Sequence, residues 1–443
     1  MKFLPKRLAA LAQSSFFKGS FTYLGGSALN SVLPLFIIPI LTRHLSPTDY
    51  GIMGTAVPLT QIFVVIVGVN AFGLIARSHF DDNPTHLRAL LSTGMVLSGL
   101  LALVLLAVAL AFGWPPESLT KFPSAWLPAV IALALGTVIQ TGYLSLLQAR
   151  SEPGRYIVIQ TVGSVGNLLL SLFLVVHWDM DWRGRMWALL ATQAIVAALC
   201  LRGLIFRLHL LRPMFQRSAF RELMDFGVPL IPHALGGWVM TMAARLFLNH
   251  YTTLADTGLY SLAYNLTSPL GMVVGAVQSA YFPALCQRLS SKEPLDKMRL
   301  CRTLLLAAFS MPIFALLCSL GVHWILPLVV GQRFRGAAEY VTWMTLTYAA
   351  LGVYGIFSTF VVYSKRTSLM TWRADFFGGI VLCVACPILI PMNGPVGAAQ
   401  ATFLGFCATM LGAITASRQA YPMPWGEALA SFFQRRKEPA ISP

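Results

Sequence analysis

Between Phe226 and Leu254 the chain reads 226-FGVPLIPHALGGWVMTMAARLFLNHYTTL-254, a run with no acidic residue and a single fixed charge, Arg245. An α-helix needs about 20 residues to cross a hydrocarbon layer of roughly 30 Å, and this run exceeds that length. A membrane β-strand would instead alternate polar and apolar residues over about 10 positions. The stretch therefore reads as a transmembrane helix, and Arg245 is the residue in it that needs a reason.

Outward from this run, which supplies a span at 226–250, eleven further apolar blocks have comparable length: 20–41, 51–76, 88–112, 123–147, 154–176, 184–206, 258–286, 303–328, 337–362, 370–390 and 394–416. Of the 443 residues 56% are hydrophobic and 11% charged, whereas a soluble domain is about 25% charged. The expected fold is all-α, a polytopic membrane protein with 12 transmembrane helices. Only Met392 and Asn393, near Pro391, part the last two blocks, so that connection has to be tight. The basic, amphipathic start from Met1 to Lys18 lacks a small-residue cleavage pattern, and the first span is expected to stay in the protein. Seven cysteines are scattered without metal-ligand spacing and read as small apolar residues, so neither metal nor cofactor is expected.

An even number of spans puts both termini on one side, and charge selects the side. The N-terminal arm, the loops after the even-numbered spans and the C-terminal tail hold 25 of the 32 Lys and Arg residues. The opposite side holds six: Arg43, Lys121, Arg183, Arg185, Arg333 and Arg335. Short basic loops stay inside, which places both termini in the cytoplasm. The net charge of +16 is accounted for by arginines beside spans, facing anionic membrane lipids. No basic stretch is interleaved with aromatics in a soluble module, so no nucleic-acid partner is expected.

The basic loop Arg202–Arg221 divides the chain almost equally, into bundles at 1–210 and 211–443. Thr42–Gly51 follows span 1 and Thr253–Tyr260 follows span 7, and each carries an Asp with a Gly two residues later. Asp49 and Asp256 are 207 residues apart, a spacing that fits a six-plus-six duplication. Two six-helix bundles related by an axis along the membrane normal would surround a central cavity. The reading preferred for Asp49 and Asp256 themselves is helix capping. Pro34 and Pro39 in span 1, and Pro229 and Pro232 in span 7, predict bent helices.

Helical spacing puts Trp238, Thr241 and Arg245 on one face of span 7. The guanidinium is a five-donor fork suited to phosphate oxygens, and a Trp face suits a sugar ring or lipid chain. Arg245 either faces a polar cavity or snorkels, because it lies only about 9 Å from the outer end of its span. Asn70 and Arg77 share a face of span 2 at a spacing of seven, and Asn30 and His233 are further candidates for the inner half of a cavity. Gln140, Gln160, Asn167, Gln193, Asn265, Gln278 and Gln400 add uncharged donors and acceptors, scattered over several spans. No Asp or Glu lies deep in a span, which disfavours the carboxylate-based carriers of protons and cationic drugs. With no P-loop and no HExxH motif, and loops of about 20 residues at most, the chain is not expected to be an enzyme.

The order of features resembles the bacterial polysaccharide transporter family. The resemblance is carried by Phe16–Ser20, by Pro39–Gly51 (PILTRHLSPTDYG), by Phe226–Pro232 (FGVPLIP) and by Gly258–Tyr264 (GLYSLAY). It implies a flippase that moves an undecaprenyl-diphosphate-linked oligosaccharide, an O-antigen or capsule repeat unit, from the cytoplasmic to the periplasmic leaflet by alternating access. It further implies Arg245, with Arg77, facing the diphosphate, and a polysaccharide polymerase and chain-length regulator as partners. One departure stands out: where many relatives have an Asp before the span 7 arginine, this chain has Ala244. Two competing readings are a multidrug or metabolite exporter of the same fold, and a non-transporting scaffold in an envelope polysaccharide synthesis complex.

Overall fold

The computed structural model describes residues 35–81, 83–211, 215–290, 297–366 and 371–433, and every regular element among them is helical. The main helices are α1 (Leu35–His44), α2 (Pro47–Gly68), α3 (Phe72–Ser78), α4 (Pro84–Phe112), α5 (Ser124–Ala149), α6 (Pro153–His177), α7 (Trp182–Arg207) and α8 (Arg217–Gly227). They continue with α9 (Ile231–Tyr251), α10 (Leu254–Ser290), α11 (Lys297–Val329), α12 (Gln332–Tyr363), α13 (Ala374–Asn393), α14 (Val396–Ala420) and α15 (Trp425–Phe433). Among the described residues ten helices are long and apolar enough to cross a membrane: α2, α4 to α7 and α10 to α14. Helix α9 has the length, at 21 residues, but His233, Gly236, Gly237, Arg245 and Asn249 make it less apolar. The outer faces of the spans are oily: Leu103, Leu110 and Phe112 of α4 and Ile313, Leu317 and Leu328 of α11 are exposed. Such surfaces are stable against lipid tails, where the helix satisfies its own backbone polar groups.

Local chemistry explains where α2 starts and stops. Ser46 Oγ accepts from the Asp49 backbone N–H at 3.1 Å, while Asp49 Oδ2 accepts from the Ser46 backbone at 3.0 Å. This capping box satisfies donors that a helix start would otherwise leave orphaned. Val69 and Asn70, both left-handed with φ of 45° and 52°, then end the helix. The expectation of one span over 51–76 fails here, and so does the shared face of Asn70 and Arg77. Two consecutive left-handed residues break the hydrogen-bond ladder, and a separate helix, α3, carries Arg77.

The same box opens α10, where Asp256 Oδ2 accepts from the Thr253 backbone at 3.0 Å and Thr253 Oγ1 accepts from the Asp256 backbone at 3.2 Å. The repeat thus has a physical counterpart, with both aspartates acting as caps. Its glycines are equally matched: Gly51 lies against the Leu254 carbonyl and Gly258 against the Pro47 carbonyl, so tightly that neither site has room for a Cβ. Leu254 follows Pro47 by the same 207 residues, so the two helix starts meet reciprocally.

By packing, the chain forms two compact units. One contains α1 to α9, the start of α10 as far as Asn265, and Leu326–Ala337. The other contains Leu266–Ile325 and the chain from Ala338 onward. This cut differs from the division at 210 that the repeat predicts, because α9 and the start of α10 bond to α2. Trp238 Nε1 donates to the Pro58 carbonyl at 2.9 Å, Asn249 Nδ2 to Thr55 Oγ1 at 2.8 Å and Asn265 Nδ2 to the Tyr50 hydroxyl at 3.0 Å. The core of the first unit gathers Phe63, Leu127, Val130, Ala134, Val138 and Met186 from α2, α5 and α7. In the second unit α14 buries Ala398, Ala401, Gly405, Thr409, Gly412 and Ala416, a stripe of small residues that lets helix backbones approach. The tight turn expected after Pro391 is made by Gly394 at φ 65°.

Candidate functional site

Arg245 projects from α9 into the first unit and is 3% exposed. Its guanidinium carbon stands 4.6 Å from the centre of the Tyr264 ring, and Nη1 donates to Met242 Sδ at 3.0 Å. Nε is buried and has no hydrogen-bond partner. No carboxylate among the described residues pairs with this arginine. An aromatic face offers a desolvated cation about 2 kcal/mol, less than an unpaired charge costs inside a protein. The position is thus pre-formed and incompletely satisfied.

Its expected companions fare differently. Trp238 uses its only donor on Pro58 of α2, while the Thr241 hydroxyl donates to its own helix, at 2.9 Å from the Gly237 carbonyl and 3.4 Å from that of Trp238. Asn70 Nδ2 donates to the Leu230 carbonyl at 3.4 Å, making a joint between the end of α2 and the entrance of α9. Arg77 is exposed at the end of α3 and His233 is exposed near the start of α9. Asn30 lies outside the described residues. Of Trp238, Thr241 and Arg245, which share α9, only Arg245 keeps a hydrogen-bond donor to spare.

A second arginine was missed by sequence reasoning. Arg185, assigned to an outer loop, belongs to α7, about one turn inside its start. It lines a cavity of ≈ 200 Å³ together with Gln140, Gln160, Asn167, Thr192 and Gln193. Arg185 Nη1 donates to Asn167 Oδ1 at 2.6 Å and to Ser171 Oγ. Gln193 Nε2 donates to Gln140 Oε1 at 3.1 Å, linking α7 to α5. The signal for the cavity was present: Gln160, Ser164, Asn167 and Ser171 recur at spacings of four, three and four, a polar stripe on an otherwise apolar helix.

The helix starts of the repeat are tied by a further buried network. Asn249, fully buried, donates to Thr55 Oγ1 and to the Thr120 carbonyl at 2.7 Å and accepts from Thr257 Oγ1 at 2.7 Å. Lys121 Nζ adds a bond of 2.5 Å to the Thr252 carbonyl. Every hydrogen-bonding atom of the Asn249 side chain is engaged there, which makes this a fastening and not a ligand site.

Known proteins place this geometry. The profile of the family described as polysaccharide biosynthesis protein matches residues 16–288. The succinoglycan biosynthesis transport protein ExoT of Rhizobium meliloti (strain 1021) is 24% identical over 357 residues, covering 77% of this chain and 68% of that one. Among solved structures, the lipid II flippase MurJ in an inward closed conformation superposes with a TM-score of 0.68 at 13% identity, covering 94% of this chain and 91% of that one. The inward-facing form of a multidrug resistance MATE family transporter of the MOP superfamily gives a TM-score of 0.66 at 15% identity, covering 90% and 96%. At these identities the two structures share the fold. The profile spans more than half of the sequence, and the chain belongs to the polysaccharide biosynthesis protein family, as a multi-pass membrane protein of that family.

Proposed function

We propose that this protein is a flippase for a polyprenyl-diphosphate-linked oligosaccharide, moving it from the cytoplasmic to the periplasmic leaflet by alternating access. The observation that carries the reading is Arg245, a buried cation with an unpartnered Nε and no carboxylate partner among the described residues. Taking a diphosphate headgroup through a dry membrane carries a large desolvation cost, and charge-assisted hydrogen bonds from a guanidinium offset it. Few fixed charges suit a carrier, since a grip that is too strong prevents release. The glycan and diphosphate travel in the protein while the polyprenyl tail stays in lipid. The proposal includes 12 spans in two six-helix halves, at 1–210 and 211–443, with both termini cytoplasmic. Trp238 and Thr241 shape the neighbourhood of Arg245, and Asn30, Asn70, Arg77 and His233 belong to the inner half of the path. A polysaccharide polymerase and a chain-length regulator would act on the delivered unit.

An exporter of drugs or metabolites is the second reading, favoured by the fold shared with the multidrug resistance transporter. The two readings part on the charge of the cargo, anionic in one and cationic in the other. Deleting the gene and measuring lipid-diphosphate-linked glycan on the cytoplasmic leaflet separates them. Accumulation that is reversed by the wild-type chain, and not by an unrelated extruder, is the expected result. Unchanged glycan together with raised drug sensitivity would replace the flippase with the exporter.

A further inference from the structure

The cavity at Arg185 has a donor and acceptor pattern of its own. Arg185 is held by neutral acceptors only, Asn167 Oδ1 and Ser171 Oγ, and no acidic residue lines the space. Its positive charge is therefore uncompensated among the described residues. The rest of the wall carries both hydrogen-bonding signs. The single bond between Gln140 and Gln193 leaves Gln140 Nε2 as a donor and Gln193 Oε1 as an acceptor. Gln160 uses its amide N on the Tyr156 hydroxyl at 3.5 Å and keeps Oε1. Thr192, only 5% exposed, has a buried Oγ1 with no partner.

Phosphate oxygens are acceptors at neutral pH and would confront the acceptors Gln160 Oε1 and Gln193 Oε1 without matching them. Sugar hydroxyls both donate and accept, as these walls require. The volume of ≈ 200 Å³ is below the roughly 300–1,000 Å³ of sites for drug-sized ligands and suits one ring. We infer that this cavity is a subsite for one sugar residue bearing a carboxylate, a hexuronate-like unit of the transported glycan, with Arg185 on the carboxylate and the amides and Thr192 on the ring hydroxyls. The inference rests on the flippase reading for its place in transport, but the binding itself can be measured without it.

The test uses the full chain in nanodiscs of bacterial phospholipid, with D-glucuronate, D-glucose and inorganic pyrophosphate as probes in ligand-observed NMR. Glucuronate should bind at least about tenfold more tightly than glucose, the scale of a hydrogen-bonded charge. Arg185→Gln should remove that preference, Arg185→Lys should keep part of it, and Thr192→Val should weaken both sugars with Arg185 in place. Equal binding of the two sugars, glucuronate binding indifferent to Arg185→Gln, or displacement of glucuronate by pyrophosphate at equal concentration would each overturn the subsite. A water-filled polar cluster, which binds none of the probes, would overturn it as well. Translocation of lipid-diphosphate glycans by the full chain reconstituted in sealed proteoliposomes of the same phospholipid separates the two proposals. If the wild type flips neutral and uronate-bearing glycans equally well, and Arg185→Gln does the same, the subsite falls and the flippase stands. If nothing is flipped while glucuronate still binds through Arg185, the flippase falls and the subsite stands.

Discussion

Arg245 and Arg185 are both arginines on helices of the first unit, neither has a carboxylate partner among the described residues, and their surroundings are opposite. Arg245 is dry, backed by the Tyr264 ring and the Met242 sulfur, with its Nε unpartnered. Arg185 faces a polar cavity and is oriented by an asparagine and a serine. A guanidinium in apolar packing gains most from a concentrated anion that enters and leaves, since nothing else nearby solvates it. One in an amide-lined space is already partly solvated, and its charge adds selectivity to a site that also reads hydroxyls. On the proposed function, affinity for the diphosphate would lie on α9 and choice among glycans on α6 and α7.

The largest effect is expected at Arg245. Arg245→Ala should lower lipid-glycan translocation by about 100-fold, as when hydrogen bonds to a charged group worth about 1.5–3 kcal/mol are lost. Arg245→Lys, which keeps the charge and loses the planar fork, should retain part of the activity. Equal membrane insertion of both variants, measured by quantitative immunoblotting of membranes, makes the result interpretable. Full activity in Arg245→Ala would remove the distinction between the two arginines as far as transport is concerned.

Next comes Asn167→Asp, which gives Arg185 the carboxylate it lacks. An internal carboxylate beside Asn167's present partner competes with the carboxylate of a ligand, so glucuronate binding should weaken about tenfold while the thermal midpoint of the protein rises. Tighter glucuronate binding in this variant would mean that Arg185 is not the carboxylate-binding group. Tyr264→Ala is of similar size: removing the ring face costs Arg245 about 1–2 kcal/mol, a loss of roughly fivefold to 30-fold in translocation at constant expression. Tyr264→Phe keeps the face and should lose less than Tyr264→Ala; an equal loss would transfer the role of the ring to its hydroxyl.

Much of this architecture was legible in the chain, because a membrane imposes length and apolarity together. Pro84–Phe112, Ser124–Ala149 and Val396–Ala420 lie within a few residues of the blocks read from the sequence, with ends set by prolines and glycines. The capping boxes at Asp49 and Asp256 were readable for a similar reason, since Ser or Thr three residues before Asp is a local signal. The break at Val69 and Asn70 was not, because neither a valine nor a following asparagine in an apolar run announces a left-handed turn. At the site, Arg245 was visible as a lone charge, whereas Arg185 was hidden by its nearness to a loop. Its depth became evident only with the start of α7 at Trp182 and with the partners that α6 brings to it. Spacing alone placed Thr241 beside Arg245, and spacing says which residues share a face without saying which of them still have hydrogen bonds to give.

That last point yields the smallest expected effect and the sharpest use of the comparison. Thr241 is one helical turn from Arg245, yet its hydroxyl proton is committed to the carbonyls of Gly237 and Trp238. Thr241→Val keeps the branched shape and deletes only that hydroxyl. A hydroxyl bonded to its own helix contributes about 1 kcal/mol at most to folding and nothing to a ligand, so translocation should stay within about twofold of wild type. A tenfold loss at normal expression would put the Thr241 hydroxyl on the substrate and give α9 a polar face shared with Arg245. The dry arginine would then have a neutral helper, as Arg185 has in Asn167, and the contrast between the two sites would shrink to one of degree.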